Sequence, residues 1–216
     1  MSLSKTGIPY GDLASNPCGA GCSNVANCPT CWARAFAART IATSPTVRFD
    51  ANQAQAAADA WGFNCGPGAL CAVLDLMPED LLPVLRGMGF ERKRYMSPTM
   101  MQHALYMLRV NVRVHPRGGI PAGGVGLIRV QWDGPWMQRK DDNAWREQYR
   151  HTHWIAWNAV TGELQVFDIN AICAGGWMSY AEWSNQLVPW LLNEGGLTAK
   201  GANGKFSFTH IWELYE

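Results

Sequence analysis

Apolar and polar positions divide this chain into a helical first half and a strand-rich second half. Residues 51–60 are alanine-rich, with Asp50 placed to cap a helix and Gly62 just beyond its end. The texture then changes to an unbroken apolar run, 69–76, which reads as a buried helix entered through Cys65-Gly66-Pro67-Gly68. Pro78-Glu79-Asp80 starts another helix through Leu85 that ends at Gly87, and Pro83 should bend or shorten it. Glu91-Arg92-Lys93-Arg94 reads as a solvated loop. Ser97 caps the next helix, with Pro98 at its first position. There Met100, Met101, Ala104, Leu105, Met107 and Leu108 recur at helical spacing as candidate core.

Beyond Val110 the period falls to two. Strands are expected over 110–114, 124–132, 150–157, 163–169 and 205–215, with the third and fourth joined as a hairpin at Thr161-Gly162. Ser179 with Glu182 forms a capping box for a helix reaching about Leu192. The polar stretch 138–148 reads as a solvent-facing insertion or, because it ends at a histidine-bearing strand, as a gating loop.

Composition narrows the functional classes. The 216 residues suffice for one sizeable core plus a small appendage, and 48% apolar against 16% charged residues indicates a globular chain. A formal charge of +1 gives no electrostatic reason to expect a nucleic-acid or membrane-surface partner. No apolar run reaches the ~18–20 residues of a membrane span, and the first residues lack the apolar core of a signal peptide. A cytoplasmic location is therefore expected. Eleven tryptophans suggest an aromatic core or a groove with flat apolar walls.

Four of the seven cysteines, Cys18, Cys22, Cys28 and Cys31, fall within fourteen residues as C-x3-C-x5-C-x2-C. Without an export signal, such clustering favours a metal site over disulfides, with structural zinc the simplest occupant and an iron–sulfur cluster the alternative. Residues 1–47 are expected to form this small metal knob plus linker, and 48–216 the main domain.

Cys65 is the candidate nucleophile. At a helix N-terminus it meets unpaired backbone N–H groups and the positive end of the helix dipole, which favour thiolate. Gly66 and Gly68 would leave room for a substrate backbone in front of the sulfur. Taken alone, a turn ahead of a core helix with an incidental cysteine explains this stretch equally well. Downstream, His153 and Asp168 lie on the two strands of the hairpin, which can set them side by side. A thiol hydrolase needs such a set: a base for the thiol proton and a carboxylate to orient the base. His151 shares the strand face of His153, Trp154 points the other way, and Asn170 can contact the site.

Asn64-Cys65-Gly66-Pro67-Gly68-Ala69-Leu70, then His153-Trp154 in an apolar strand, then Asp168 and the segment from Met178-Ser179 to Trp183, resemble the papain-like superfamily, nearest the bacteriocin-leader peptidases. The resemblance covers the chain from about Asn64 onward. It implies an α+β papain-like fold, in which a helix carries Cys65 as nucleophile and an antiparallel sheet carries His153 as base and Asp168 as orienter. It also implies a peptide or protein substrate. The family's oxyanion glutamine, about six residues before the cysteine, is replaced by Asp59. Gln55, Gln53 and Asn64 are the nearby amide candidates, beside the Cys65 backbone N–H. A catalytically silent binding domain, with a zinc knob that recognises a protein or nucleic acid, is the competing expectation. Separately, residues 16–34 resemble the N-terminal cluster motif of a phage-encoded radical SAM-like family, in which Cys22, Cys28 and Cys31 match the cluster ligands and no barrel-length sequence follows.

Overall fold

The computed structural model describes residues 41, 44–116, 119–134 and 151–215. The four-cysteine segment and the insertion 138–148 lie outside the described residues.

Helix α1, Ala51–Trp61, opens on a reciprocal cap: Gln53 N–H donates to Asp50 Oδ1 at 2.8 Å, and Asp50 N–H donates to Gln53 Oε1 at 2.9 Å. Gly62 ends it at φ +87°, where a Cβ would also lie 2.8 Å from Arg94 Cγ. Helix α2, Cys65–Val73, starts at the cysteine itself, capped by Asn64 Oδ1, which accepts from Gly66 N–H at 3.3 Å. Every residue from Gly66 to Val73 is buried, so the segment shows a continuous apolar run and no stripe.

Helix α3, Pro78–Gly87, runs through Pro83, which does not shorten it. Pro83 and Glu79 both lie on the exposed side, so water can serve the Glu79 carbonyl that lost its amide partner. The charged stretch is a helical turn, α4, Phe90–Lys93, and not a loop. Fully buried Phe90 anchors it, and Arg86 binds Glu91 through hydrogen bonds of 3.1 and 2.9 Å. In α5, Pro98–Met107, capped by Ser97, the buried positions are Met101, Ala104 and Leu105, while Met100 and Met107 are half-buried.

Six antiparallel strands form one sheet in the order β1-β6-β2-β3-β4-β5. They are β1 Asn111–His115, β2 Val125–Trp132, β3 Thr152–Asn158, β4 Gln165–Phe167, β5 Trp177–Ser179 and β6 Phe206–Tyr215. The chain is thus an α+β protein. β2 sits centrally and is buried along its whole length. Register pairs Val130 with His153 and Ile128 with Ile155, so these four share a face. That face packs on Trp183, Val188 and Leu191 of the C-terminal helical segment. The opposite face carries Trp154, whose indole lies 3.6 Å from where a Cβ on Gly66 would stand, and α2 packs there against β3.

The C-terminal segment begins at the expected Ser179–Glu182 capping box. It is interrupted, however: Tyr180–Glu182 is α-helical, Trp183–Leu187 is a π-helical turn, and Val188–Leu192 is α-helical again. Among the described residues no helix is long and apolar enough to cross a membrane.

Candidate active site

The site lies where the β3/β4 hairpin stops pairing. β4 bonds β3 only over Ala156–Asn158, and Asp168 leaves the ladder immediately after Phe167. Among the described residues no strand pairs with the N-terminal half of β3 on that edge, and the Cys65 thiol meets β3 there at Trp154. Trp154 backbone N–H donates to the sulfur, and the His153 ring makes a second hydrogen bond to it. Continuing the register places Asp168 opposite Ile155, diagonal to His153 on the same face, within side-chain reach.

His153 Nε2 stands 2.9 Å from Asp168 Oδ2. With Nε2 so engaged, Nδ1 is the ring nitrogen left for the thiol. Asp168 is fully buried and saturated: Trp183 Nε1–H donates to Oδ2 at 2.9 Å, and Asn170 donates to Oδ1 from both its backbone N–H and its Nδ2, each at 2.9 Å.

Burial and charge oppose each other at every member. Burial pushes the Asp168 carboxyl up, but the His153 charge and the His153, Trp183 and Asn170 hydrogen bonds hold it below the usual range. Burial also pushes the Cys65 thiol up and Asp168 repels its charge. The His153 charge, its hydrogen bond and the Trp154 amide outweigh both and leave the thiol below its ordinary value. Burial alone would lower His153; Asp168 and the sulfur instead raise it well above the ordinary imidazole range. The shifts of Cys65 and His153 both run in the direction that favours a thiolate–imidazolium pair beside the Asp168 carboxylate. Cys65 retains partial exposure, whereas Cys71 is buried in the core.

The structure thus brings together Cys65, His153 and Asp168. It places the amide candidates elsewhere. Gln55 lies on the exposed side of α1, its Nε2 donating to Asp59 Oδ1 at 2.8 Å. Asn64 caps α2 and donates its Nδ2 to the Arg94 carbonyl at 3.0 Å. The Cys65 N–H, at the first position of α2, has no intrahelical acceptor. Gly66 and Gly68 do not open space for a substrate. A Cβ on Gly66 would lie 2.5 Å from Met96 Cβ, and one on Gly68 3.1 Å from Ile169 Cδ1. They let the protein's own segments close on the helix start.

His151 is half-buried ahead of β3, its carbonyl accepting from Trp132 N–H at 2.9 Å and from Gln131 Nε2 at 3.1 Å. Trp183 is the participant that sequence reasoning did not assign a role. The capping box predicted its helix, but nothing in the spacing aims one tryptophan among eleven at a carboxylate fifteen residues upstream. Among the described residues no further cluster of His, Cys, Asp and Glu is arranged to hold a metal ion. Compared with protein-family models, curated proteins and solved structures, the chain matches none.

Proposed function

We propose that this protein is a thiol-dependent hydrolase of peptide or other amide bonds, built on a papain-like plan. One observation carries the reading: the Cys65 sulfur at the start of α2 is hydrogen-bonded to His153, whose other ring nitrogen is held by buried Asp168. Sγ attacks the substrate carbonyl carbon, and the charge that develops on oxygen meets the Cys65 N–H. His153 gives its Nδ1 proton to the leaving amine as the C–N bond breaks, which leaves a thioester. Water, deprotonated by His153, then attacks the thioester and releases the acid and the thiolate. Asp168 keeps the ring oriented and its charge balanced throughout.

The test is alkylation by iodoacetamide near neutral pH, followed by peptide mapping, together with turnover of a peptide library. Cys65 is expected to react faster than exposed Cys173 and buried Cys71, and His153→Ala to suppress that excess. Labelling no faster than Cys173 in the folded protein would sink the proposal. It would select the silent binding domain instead, a reading favoured by the engagement of both candidate amides elsewhere. The proposal extends to zinc on Cys18, Cys22, Cys28 and Cys31, for which elemental analysis should find zinc; iron would select the cluster alternative.

A further inference from the structure

Among the described residues, Arg129 is a buried cation without an anion. It is 4% exposed on β2 and lies on the Trp154 face, directly opposite Trp154 across the ladder. Its Nη1 donates to Thr209 Oγ1 at 3.2 Å and its Nη2 to the Tyr95 hydroxyl at 3.0 Å. Its Nε is buried with no hydrogen-bond partner. Among the described residues no carboxylate forms an ion pair with it. Removing a guanidinium from water without a counter-charge is costly, and a bare buried donor in a folded protein calls for a physical reason.

The geometry supplies one. In a guanidinium, Nε–H and the near Nη2–H point the same way and form a fork that fits the two oxygens of a carboxylate. Thr209 secures the far nitrogen and so orients the fork. Of the two prongs, one is bare and the other rests on the hydroxyl of Tyr95. That residue is 41% exposed and follows the left-handed turn at Arg94, at φ +49°. A side chain so placed can swing outward and vacate the fork.

Two connections place the fork one strand away from the Cys65 sulfur. Trp154, opposite Arg129, is the residue whose N–H donates to Cys65, and opposed Cβ atoms on adjacent strands stand roughly 4.5–5.5 Å apart. Tyr95 is followed by Met96, which packs on Gly66 beside the nucleophile and accepts from Trp154 Nε1 at 2.7 Å.

We propose that Arg129 is a carboxylate-binding site for the substrate, taking an acidic group close along the chain to the bond attacked by Cys65, with the Tyr95 hydroxyl as its stand-in in the free protein. That the ligand is a substrate rests on the hydrolase reading; the carboxylate site itself does not. The acid can be a side chain or a chain end, and both present the same two oxygens.

The full-length protein should be titrated with three ligands: N-acetylglutamate amide, N-acetylglutamine with its free terminal carboxylate, and neutral N-acetylglutamine amide. At least one acid is expected to bind about tenfold tighter than the neutral amide, and which one does separates side chain from chain end. Arg129→Met, similar in volume and uncharged, should bring all three to within about twofold. Arg129→Lys, charged but without the fork, should retain an intermediate preference. Loss of an unpaired buried charge predicts that Arg129→Met folds with an equal or higher Tm. Acids that bind wild type no better than the amide, or a preference that survives Arg129→Met, would overturn the site. Iodoacetamide labelling of Cys65 in the same samples separates the two claims. Fast labelling without carboxylate preference removes this site and leaves the hydrolase; carboxylate preference with an inert Cys65 does the reverse.

Discussion

His115 and His153 each hold a carboxylate through Nε2, His115 at 2.8 Å from Glu213 Oε2 and His153 at 2.9 Å from Asp168 Oδ2. Both pairs belong to the same sheet system and both bring a histidine against an acid. The first lies where β1 meets β6, with both side chains partly in solvent and Arg113 sharing Glu213 at 2.9 Å. The second lies off the ends of β3 and β4, with an aspartate that no water reaches. The bond length does not distinguish them; what lies beyond the imidazole does. At His115 the carboxylate also binds the Arg113 guanidinium, and its charge is spread into solvent. At His153 the carboxylate is closed off by Trp183 and Asn170, and a sulfur stands on the ring's other side. The proposed activation of Cys65 therefore rests on a sealed acid and a sulfur held at opposite edges of one ring.

The largest effects should come from unsealing the acid. Asp168→Ala would leave an imidazolium, an indole N–H and two Asn170 N–H groups without an acceptor in the core. Breaking one side of a buried ion pair costs about 3–5 kcal/mol, so urea melts should show a lower midpoint. Asp168→Asn keeps the volume and is expected to slow Cys65 alkylation by roughly 10²–10⁴-fold, because the ring loses its counter-charge and its tautomer. A rate for Asp168→Asn within about twofold of wild type would make this pair no different in kind from His115–Glu213.

Next is pH. The thiol lies below its ordinary value and the imidazole well above, so alkylation should climb at a pH below the usual thiol range. It should then hold a plateau until the imidazolium gives up its proton, at a pH above the ordinary imidazole range. Asp168 is depressed, so its stabilising contribution is complete above the unfolded value, near 3.9, and is lost as pH falls through the lower folded value. An alkylation profile with a single rise near pH 8.5, the ordinary thiol value, would break the assignment of a coupled pair.

Much of this was readable in the chain itself. Alternation in 150–157 and 163–169, with Thr161-Gly162 between, was enough to expect the hairpin that carries His153 and Asp168. Local capping chemistry announced α1 and α5, because Asp50 and Ser97 serve amides three residues away. Long-range closure was not readable. Gly66 and Gly68 suggested room for a ligand, yet Met96 and Ile169, distant in sequence, occupy that room. Pro83 argued against helix by a local rule, and exposure of its side removed the penalty. Trp183 and Arg129 carry their meaning only through partners on other elements, and no periodicity encodes those.

A smaller effect is expected at Trp183. Trp183→Phe preserves most of the apolar packing against Val188 and Phe206 but deletes the N–H that reaches Asp168 Oδ2. Loss of one hydrogen bond to a buried charge costs about 1.5–3 kcal/mol. The carboxyl should also titrate higher, since one of the groups holding it down is gone. Acid unfolding of Trp183→Phe should therefore begin at a higher pH than in wild type. A Tm drop with an unchanged acid limb would show that the indole merely fills space.

The smallest effect should come from the exposed pair. Glu213→Gln removes the carboxylate shared by His115 and Arg113, whose hydrogen bonds hold it below the usual range. Both side chains keep access to water, so neither is left buried without a partner, and exposed ion pairs contribute about 0.2–1 kcal/mol. The substitution should also leave Cys65 alkylation unchanged, because the histidine that acts on Cys65 is His153. Matched chemical denaturation of Glu213→Gln and Asp168→Asn puts the two sites on one scale. If the change at Glu213 cost as much as that at Asp168, the partial exposure of the β1/β6 pair would not be governing its strength. The contrast in burial would then fail to set the two histidine–carboxylate pairs apart.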